Sequence, residues 1–282
     1  MILTYLYDLS ELNKMGDAIV VSVKNYSFNT SHNFTKEEIL DIKSKTEKKV
    51  FLSITPLFHD SELEDVKNIL ESLKNLDGFI FHDLGLIQFF QELDIIDKAV
   101  YAPETFITNH IDKEFFNQIG LNKFLLSREI TLEDIKMILH FKGDASYMYN
   151  AFGYQMLFYS YRHHLSNFKE KFNTIDDLKD KFNIKIKEET RNELYRAIED
   201  NRGFRIYKDR ILNAYSDVKD LPIDILLLDR VFIDDDMYFD AIKMFKGEIT
   251  ESTFNEIYNP DSFEKAYLYK ETGLLKEDEK NA

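Results

Sequence analysis

The chain alternates short apolar runs with longer segments whose apolar residues recur at helical spacing. Residues 2–7 (ILTYLY) and 18–23 (AIVVSV) are compact and rich in β-branched or aromatic side chains, which predicts strands. Residues 49–54, 78–81, 98–102, 123–127, 145–150 and 223–229 read the same way and bring the count to eight. Their near-continuous apolarity suits parallel strands covered on both faces. Helical patterns stand between them. Thr35 followed by Glu38 has the form of a capping box, and Leu63, Val66, Ile69, Leu70 and Leu73 share one helical face. Further helices are expected near 84–93, 106–119, 131–141 and 236–246. Eight strand-then-helix units in order predict an α/β chain folded as a (β/α)8, TIM-like barrel.

The alternation breaks between about 151 and 222. The expected organisation is therefore a barrel built from 1–150 and 221–250, an α+β insertion over 151–220 between strands seven and eight, and a C-terminal extension over 251–282 with a charged, frayed end. Within the insertion, Tyr154, Leu157, Phe158, Tyr161 and Leu165 have the spacing of a packed amphipathic helix. That helix would turn Tyr159, Arg162 and His163 toward the barrel mouth. Residues 169–195 read as charged and helical, and 196–207 as a hairpin turning at Asn201 to Gly203.

Composition changes the picture in two ways. The 282 residues contain no cysteine, which removes disulfides, thiolate catalysis and Cys-held metal or iron–sulfur centres from this chain. The net charge of −15 argues against autonomous, tight nucleic-acid binding, because phosphate neutralisation needs a surplus of Lys and Arg. The N-terminal stretch lacks a basic, apolar leader and no run reaches about twenty apolar residues, so a cytoplasmic protein with no membrane association is expected.

In such barrels the chemistry gathers at the C-terminal ends of the strands. The polar residues just past them are Lys24, Asn25 and Ser27, then Thr55 and His59, His82 and Asp83, Glu104 and Thr105, Arg128 and Glu129, Asn150, and finally Asp229 and Arg230. From these, His82, Asp83, Glu104, Arg128 and Glu129 are the candidate catalytic set. Asp83 could equally cap the helix that follows it. Lys24, Asn150, Tyr159, Ser160, Arg162, His163, Glu199 and Asp200 are candidate substrate-binding residues, with Arg128 and Arg162 suited to clamping carboxylates. Adjacent His163 and His164 diverge by about 100° on a helix, so no metal site is expected of that pair. Zincin, nucleophile-elbow, Walker and dinucleotide signatures are missing.

The segments "NFTKEEI", "LFHDSELEDVKNILESL", "GFIFHDLGLIQFF" and "APETFITNHIDKEFFNQIGLNKFLLSREITLEDIKMI" together resemble the barrel of the peptidase U32 (collagenase-like protease) family. "SREITLEDI" is similar to that family's "AREL-S-LEEI" stretch and "HDLG" to its "QDLG". Many members carry "HG-x-x-C-x-x-Y-S-G-R-C-x-x-S" where this chain keeps Tyr159, Ser160, Arg162 and Ser166 but has Met156 and His163 at the cysteine positions. Glu199, Asp200 and Gly203 match the "E-D-x-x-G" of a shorter, cysteine-poor branch. The resemblance implies one of three roles. The first is 5-hydroxylation of the tRNA wobble uridine with prephenate as co-substrate, beside a longer, cysteine-bearing relative through which tRNA would be engaged. The second is proteolysis, for which Ser160 beside His163 or His164 is the conceivable pair. The third is a non-catalytic subunit.

Overall fold

The computed structural model describes residues 1–28, 32–173, 184–190 and 192–270. Seven consecutive parallel strands, β1 (Ile2–Tyr5), β2 (Ala18–Ser22), β3 (Lys49–Ile54), β4 (Gly78–Phe81), β5 (Ala99–Tyr101), β6 (Lys123–Leu125) and β7 (Ser146–Ser160), run in sequence order around the molecule. The strand at Ile225–Leu228, β11, closes the ring by pairing in parallel with both neighbours, Ile2 opposite Leu226 and Ile225 opposite Met148. The eight-stranded barrel expected from the alternation is therefore present, with α1 (Lys36–Lys45), α2 (Leu63–Ser72), α3 (Leu86–Glu92), α4 (Asp112–Asn117), α5 (Leu132–His140) and α8 (Asp235–Phe245) around it.

Local chemistry sets the helix boundaries. Thr35 Oγ1 accepts from Glu38 N at 3.2 Å while the Glu38 carboxylate accepts from Thr35 N at 2.7 Å, and Thr131 and Asp134 repeat the device at α5. The connection after β1, for which no helix was marked out, holds a 3-10 turn over Leu9–Lys14, and one expected helix is shorter. Residues 106–119 contribute a helix only from Asp112, because Asn109 Oδ1 accepts from Ile111 N and Asp112 N and so commits 109–112 to a side-chain-stabilised turn.

The barrel interior is a small core of Leu3, Tyr5, Ala18, Val20, Phe51, Ile80, Val100, Ala102, Leu125, Met148, Ile225 and Leu227. A second and larger core packs the outer strand faces against the helices. Both faces of these strands are buried, which is why the sequence shows runs rather than alternation.

The largest departure lies in 152–168. No helix spans it: β7 continues through Ser160, and α6 begins only at His164 and ends at Phe172. Past Phe152, β7 leaves the barrel and pairs antiparallel with β10 (Gly203–Asn213), which pairs in turn with β9 (Leu194–Asp200) and β9 with β8 (Ile184–Lys187). The aromatic residues of 152–160 serve a strand once β10 supplies hydrogen-bond partners for their backbone. The hairpin at 196–207 forms as expected, its strands β9 and β10 joined through Asn201 and Arg202. Among its described residues the charged segment at 169–195 is helical to Phe172 and a strand at 184–187; 174–183 and 191 lie outside the described residues, as does the expected frayed end at 276–282.

Candidate functional site

Side chains on a strand alternate faces, so the residue two places beyond an interior-facing one points the same way, one layer higher. Ile80, Ala102, Met148 and Leu227 are interior residues. Two places on from each stand His82, Glu104, Asn150 and Asp229, and all four line a cavity of about 70 Å³ at the C-terminal end of the barrel. Arg128, Tyr5, Phe28, Tyr154, Gln155 and Tyr207 add to its polar and aromatic wall.

The charged groups of this cavity are engaged with one another. Arg128 Nη1 donates to Glu104 Oε2, and His82 Nε2 lies 3.6 Å from Glu104 Oε1. Glu104 adopts a left-handed backbone with φ of 66°, a conformation disfavoured for a residue with a Cβ and held here by its surroundings. Burial pushes the His82 imidazole down to about 4, so it is neutral at pH 7. Burial, helped by the nearby Glu104 carboxylate, pushes Asp229 up to about 6, although Val231 N donates to its Oδ1 at 2.8 Å. Tyr207 is raised to about 12 by burial and Tyr5 is raised also, so both phenols stay protonated. A neutral imidazole and a carboxyl poised near neutrality in one cavity are suited to moving protons or to hydrogen-bonding an uncharged ligand. Asn150, its amide oriented by its neighbours, donates to the Phe152 and Leu227 carbonyls at 3.0 and 3.3 Å.

β7 makes its exit from the barrel against Asp229. Gly153 has φ of 132°, and a Cβ there would lie 2.8 Å from Asp229 Cβ. Only glycine allows this approach without displacing the carboxylate.

The other candidate residues lie outside the cavity lining. Asp83 accepts from Gly85 N at 2.9 Å and Phe58 N at 2.9 Å, a turn-stabilising role. Glu129 and Lys24 are exposed. Tyr159 packs behind the cavity wall, its ring 4.6 Å from that of Phe28. Ser160 Oγ accepts from Arg162 N at 3.2 Å and lies 3.0 Å from His164 Nε2. Arg162 is exposed and is not brought to Arg128: strand β7 carries it past the rim, so the two do not form a carboxylate clamp. His163 Nε2 meets the Asp200 carbonyl at 2.8 Å. Glu199 is 1% exposed and accepts from Leu165 N at 2.7 Å and Ser166 N at 3.0 Å, capping the first turn of α6. Asp200 binds the fully buried Arg205 through both oxygens, at 3.1 and 2.5 Å, and Arg205 lies over the Phe28 ring. Asp200 and Arg205 thus brace the Phe28 wall of the cavity from behind.

Arg202, at the hairpin tip, donates from Nε to the Asn25 carbonyl at 2.5 Å and from Nη1 to Glu62 at 2.6 Å. It fastens the hairpin across the loops after β2 and β3. Sequence reasoning missed Arg202, Arg205 and Gln155. The arginines lay in a stretch read as a hairpin, and Gln155 lay inside a segment read with the wrong period.

Residues 10–224 match Peptidase family U32. The chain belongs to that family. The chain is similar to the tRNA hydroxylation protein P2 of Bacillus subtilis (strain 168), 21% identical over 243 residues that cover 82% of this chain and 78% of the relative. The 23S rRNA 5-hydroxycytidine C2501 synthase of Escherichia coli (strain K12) is 25% identical over 158 residues, 53% of this chain but 23% of that longer protein. Among solved structures, a monomeric form of phosphoribosylanthranilate isomerase from Thermotoga maritima aligns with a TM-score of 0.37 and 11% identity, over 52% of this chain and 74% of that one. The cysteine positions of the wider U32 pattern are filled by Met156, in the cavity wall, and by His163, bonded to the hairpin backbone. Without a thiolate, the residues present do not fit a Cys-held cluster.

Among the described residues no helix is long and apolar enough to cross a membrane.

Proposed function

We propose that this U32 protein acts in the 5-hydroxylation of a tRNA pyrimidine, the wobble uridine, in the cytoplasm and together with a longer, cysteine-bearing relative. The observation that carries the reading is the cavity at the barrel mouth, where neutral His82, the Glu104–Arg128 pair and Asp229 converge, in a chain similar to a tRNA hydroxylation protein over most of both lengths. Replacing a C5–H bond by C5–OH is a two-electron oxidation. His, Asp, Glu and Arg side chains move protons and hold charge, so the oxidising equivalent comes from a co-reactant or from the relative, and this chain supplies binding and proton management. Prephenate is the proposed co-substrate. Its two carboxylates find little surplus positive charge in this cavity, because Arg128 is already matched by Glu104 and Asp229 adds a second carboxyl. We therefore assign prephenate to the shared pathway rather than to the Arg128 guanidinium alone.

A peptidase is the second reading, favoured by the 3.0 Å contact between Ser160 Oγ and His164 Nε2. That serine lies outside the cavity and its oxygen also accepts from Arg162 N. A nucleophile needs an oriented base and an oxyanion site, and the hydroxylation reading accounts for more of the buried polar groups. Mass spectrometry of anticodon nucleosides from a strain lacking both this protein and its longer relative tests the choice. Loss of 5-hydroxylated wobble uridine is expected; unchanged modification, with gelatin or casein cleaved by the purified protein and not by its Ser160→Ala variant, reverses it.

A further inference from the structure

Gln155 is 2% exposed and lines the cavity, and neither its Nε2 nor its Oε1 has a hydrogen-bond partner among the described residues. A buried amide left unpaired destabilises a fold, and a leucine or methionine would fill the same space without that penalty. Its position is set by the backbone. Gln155 lies between Tyr154 and Met156, opposite the irregular stretch of β10 where pairing jumps from Tyr207 to Ile211. Such irregularities re-aim side chains at functional sites.

Three properties narrow the ligand. The first is hydrogen bonding. A primary amide offers a donor and an acceptor side by side, and a carboxylate, having no donor, satisfies only half of it. A uracil edge, with its N3–H next to a carbonyl, satisfies both, and a cytosine edge does so with the amide turned over. The second is charge. The lining contains Arg128 against two carboxyl groups, Glu104 and Asp229, which disfavours an anion. The third is size. The cavity, at about 70 Å³, is roughly half of the 150 Å³ apolar cavity known to hold a benzene ring, so it admits the edge of a six-membered ring and leaves the rest at the mouth. Aromatic walls at Phe28, Tyr5 and Tyr154 suit a flat ring entering edge-first.

We propose that the Gln155 amide is a specificity-determining contact that pairs with the Watson–Crick edge of an uncharged pyrimidine base inserted at the barrel mouth. The inference rests on the hydroxylation reading of this same cavity and names the group that the cavity holds.

The test uses the full chain labelled with 15N. The Gln155 side-chain NH2 signals are identified by their loss in Gln155→Leu and, independently, in Gln155→Met. They are followed during titration with uridine, cytidine, 3-methyluridine and malonate. Uridine and cytidine are expected to shift the signals saturably. 3-Methyluridine, which lacks the N3–H, is expected to bind about tenfold or more weakly, as is uridine to both variants, whose binding is followed by the backbone amide signals of the cavity residues. Indifference of the signals to uridine, an equal response to 3-methyluridine, or a stronger response to malonate overturns the proposal. The pathway reading fails separately. If uridine moves Gln155 but the double-deletion strain keeps its wobble hydroxylation, the contact stands without the pathway; if the strain loses modification while Gln155 ignores uridine, the pathway stands without the contact.

Discussion

His82 and Asp229 sit in one cavity and should respond to acid in opposite directions. His82 titrates near 6.5 in an unfolded chain and at about 4 when folded, so below pH 6.5 the unfolded state takes up a proton that the folded state refuses. Stability is lost from pH 6.5 down to about 4, by about 3 kcal/mol in all. Asp229 titrates near 3.8 unfolded and at about 6 folded, so the folded state protonates first. Its ionised form costs about 3 kcal/mol at pH 7, and that cost is relieved as pH falls from about 6 to 3.8. Between pH 7 and 4.5 the two contributions are about −2 and +2 kcal/mol and nearly cancel. Single substitutions separate them. Asp229→Asn keeps the oxygen that accepts from Val231 N and should stabilise the protein at pH 7 by about 3 kcal/mol, a gain that shrinks to about 1 kcal/mol at pH 4.5. His82→Gln should instead improve on the wild type by about 2 kcal/mol on going from pH 7 to pH 4.5. Urea unfolding of the three proteins at both pH values measures this, and differences from the wild type cancel the background of ordinary carboxylates. Parallel pH dependences for all three would refute the burial argument.

Much of this cavity was legible in the sequence. The strand runs ending at Ile80, Ala102, Met148 and Leu227 place His82, Glu104, Asn150 and Asp229 one layer above the barrel core by period two alone. The second half of β7 was not legible. Tyr154, Leu157, Phe158, Tyr161 and Leu165 satisfy helical spacing, while Phe152, Tyr154 and Met156 satisfy a strand equally well, and a stretch so rich in aromatic residues does not choose between the periods. The choice is made by β10, which lies fifty residues on and supplies the missing hydrogen bonds. The same error hid Gln155 and moved Arg162 into a mouth that it does not reach. Glu199 and Asp200 were read as substrate-binding residues; their partners in the fold are α6 and Arg205, contacts that only the folded chain reveals.

Further substitutions probe the frame. Gly153→Ala should lower the urea midpoint and displace Asp229, since the new Cβ would lie 2.8 Å from Asp229 Cβ on a left-handed backbone. Arg205→Ala, which takes the bidentate cation from the Asp200 carboxylate and removes a fully buried guanidinium, should cost about 3–5 kcal/mol in the same assay. Arg162→Ala, at an exposed position, should change stability by no more than about 0.5 kcal/mol and leave wobble modification intact.

The barrel-mouth cavity is the centre of the account, and Arg128 is its cation. The most direct measurement is complementation of a strain that lacks this protein but retains its longer relative with the wild type, Arg128→Ala or Arg162→Ala, read as 5-hydroxylated wobble uridine by mass spectrometry at matched protein levels. The account predicts restoration by the wild type and Arg162→Ala and none by Arg128→Ala; full restoration by Arg128→Ala would contradict it.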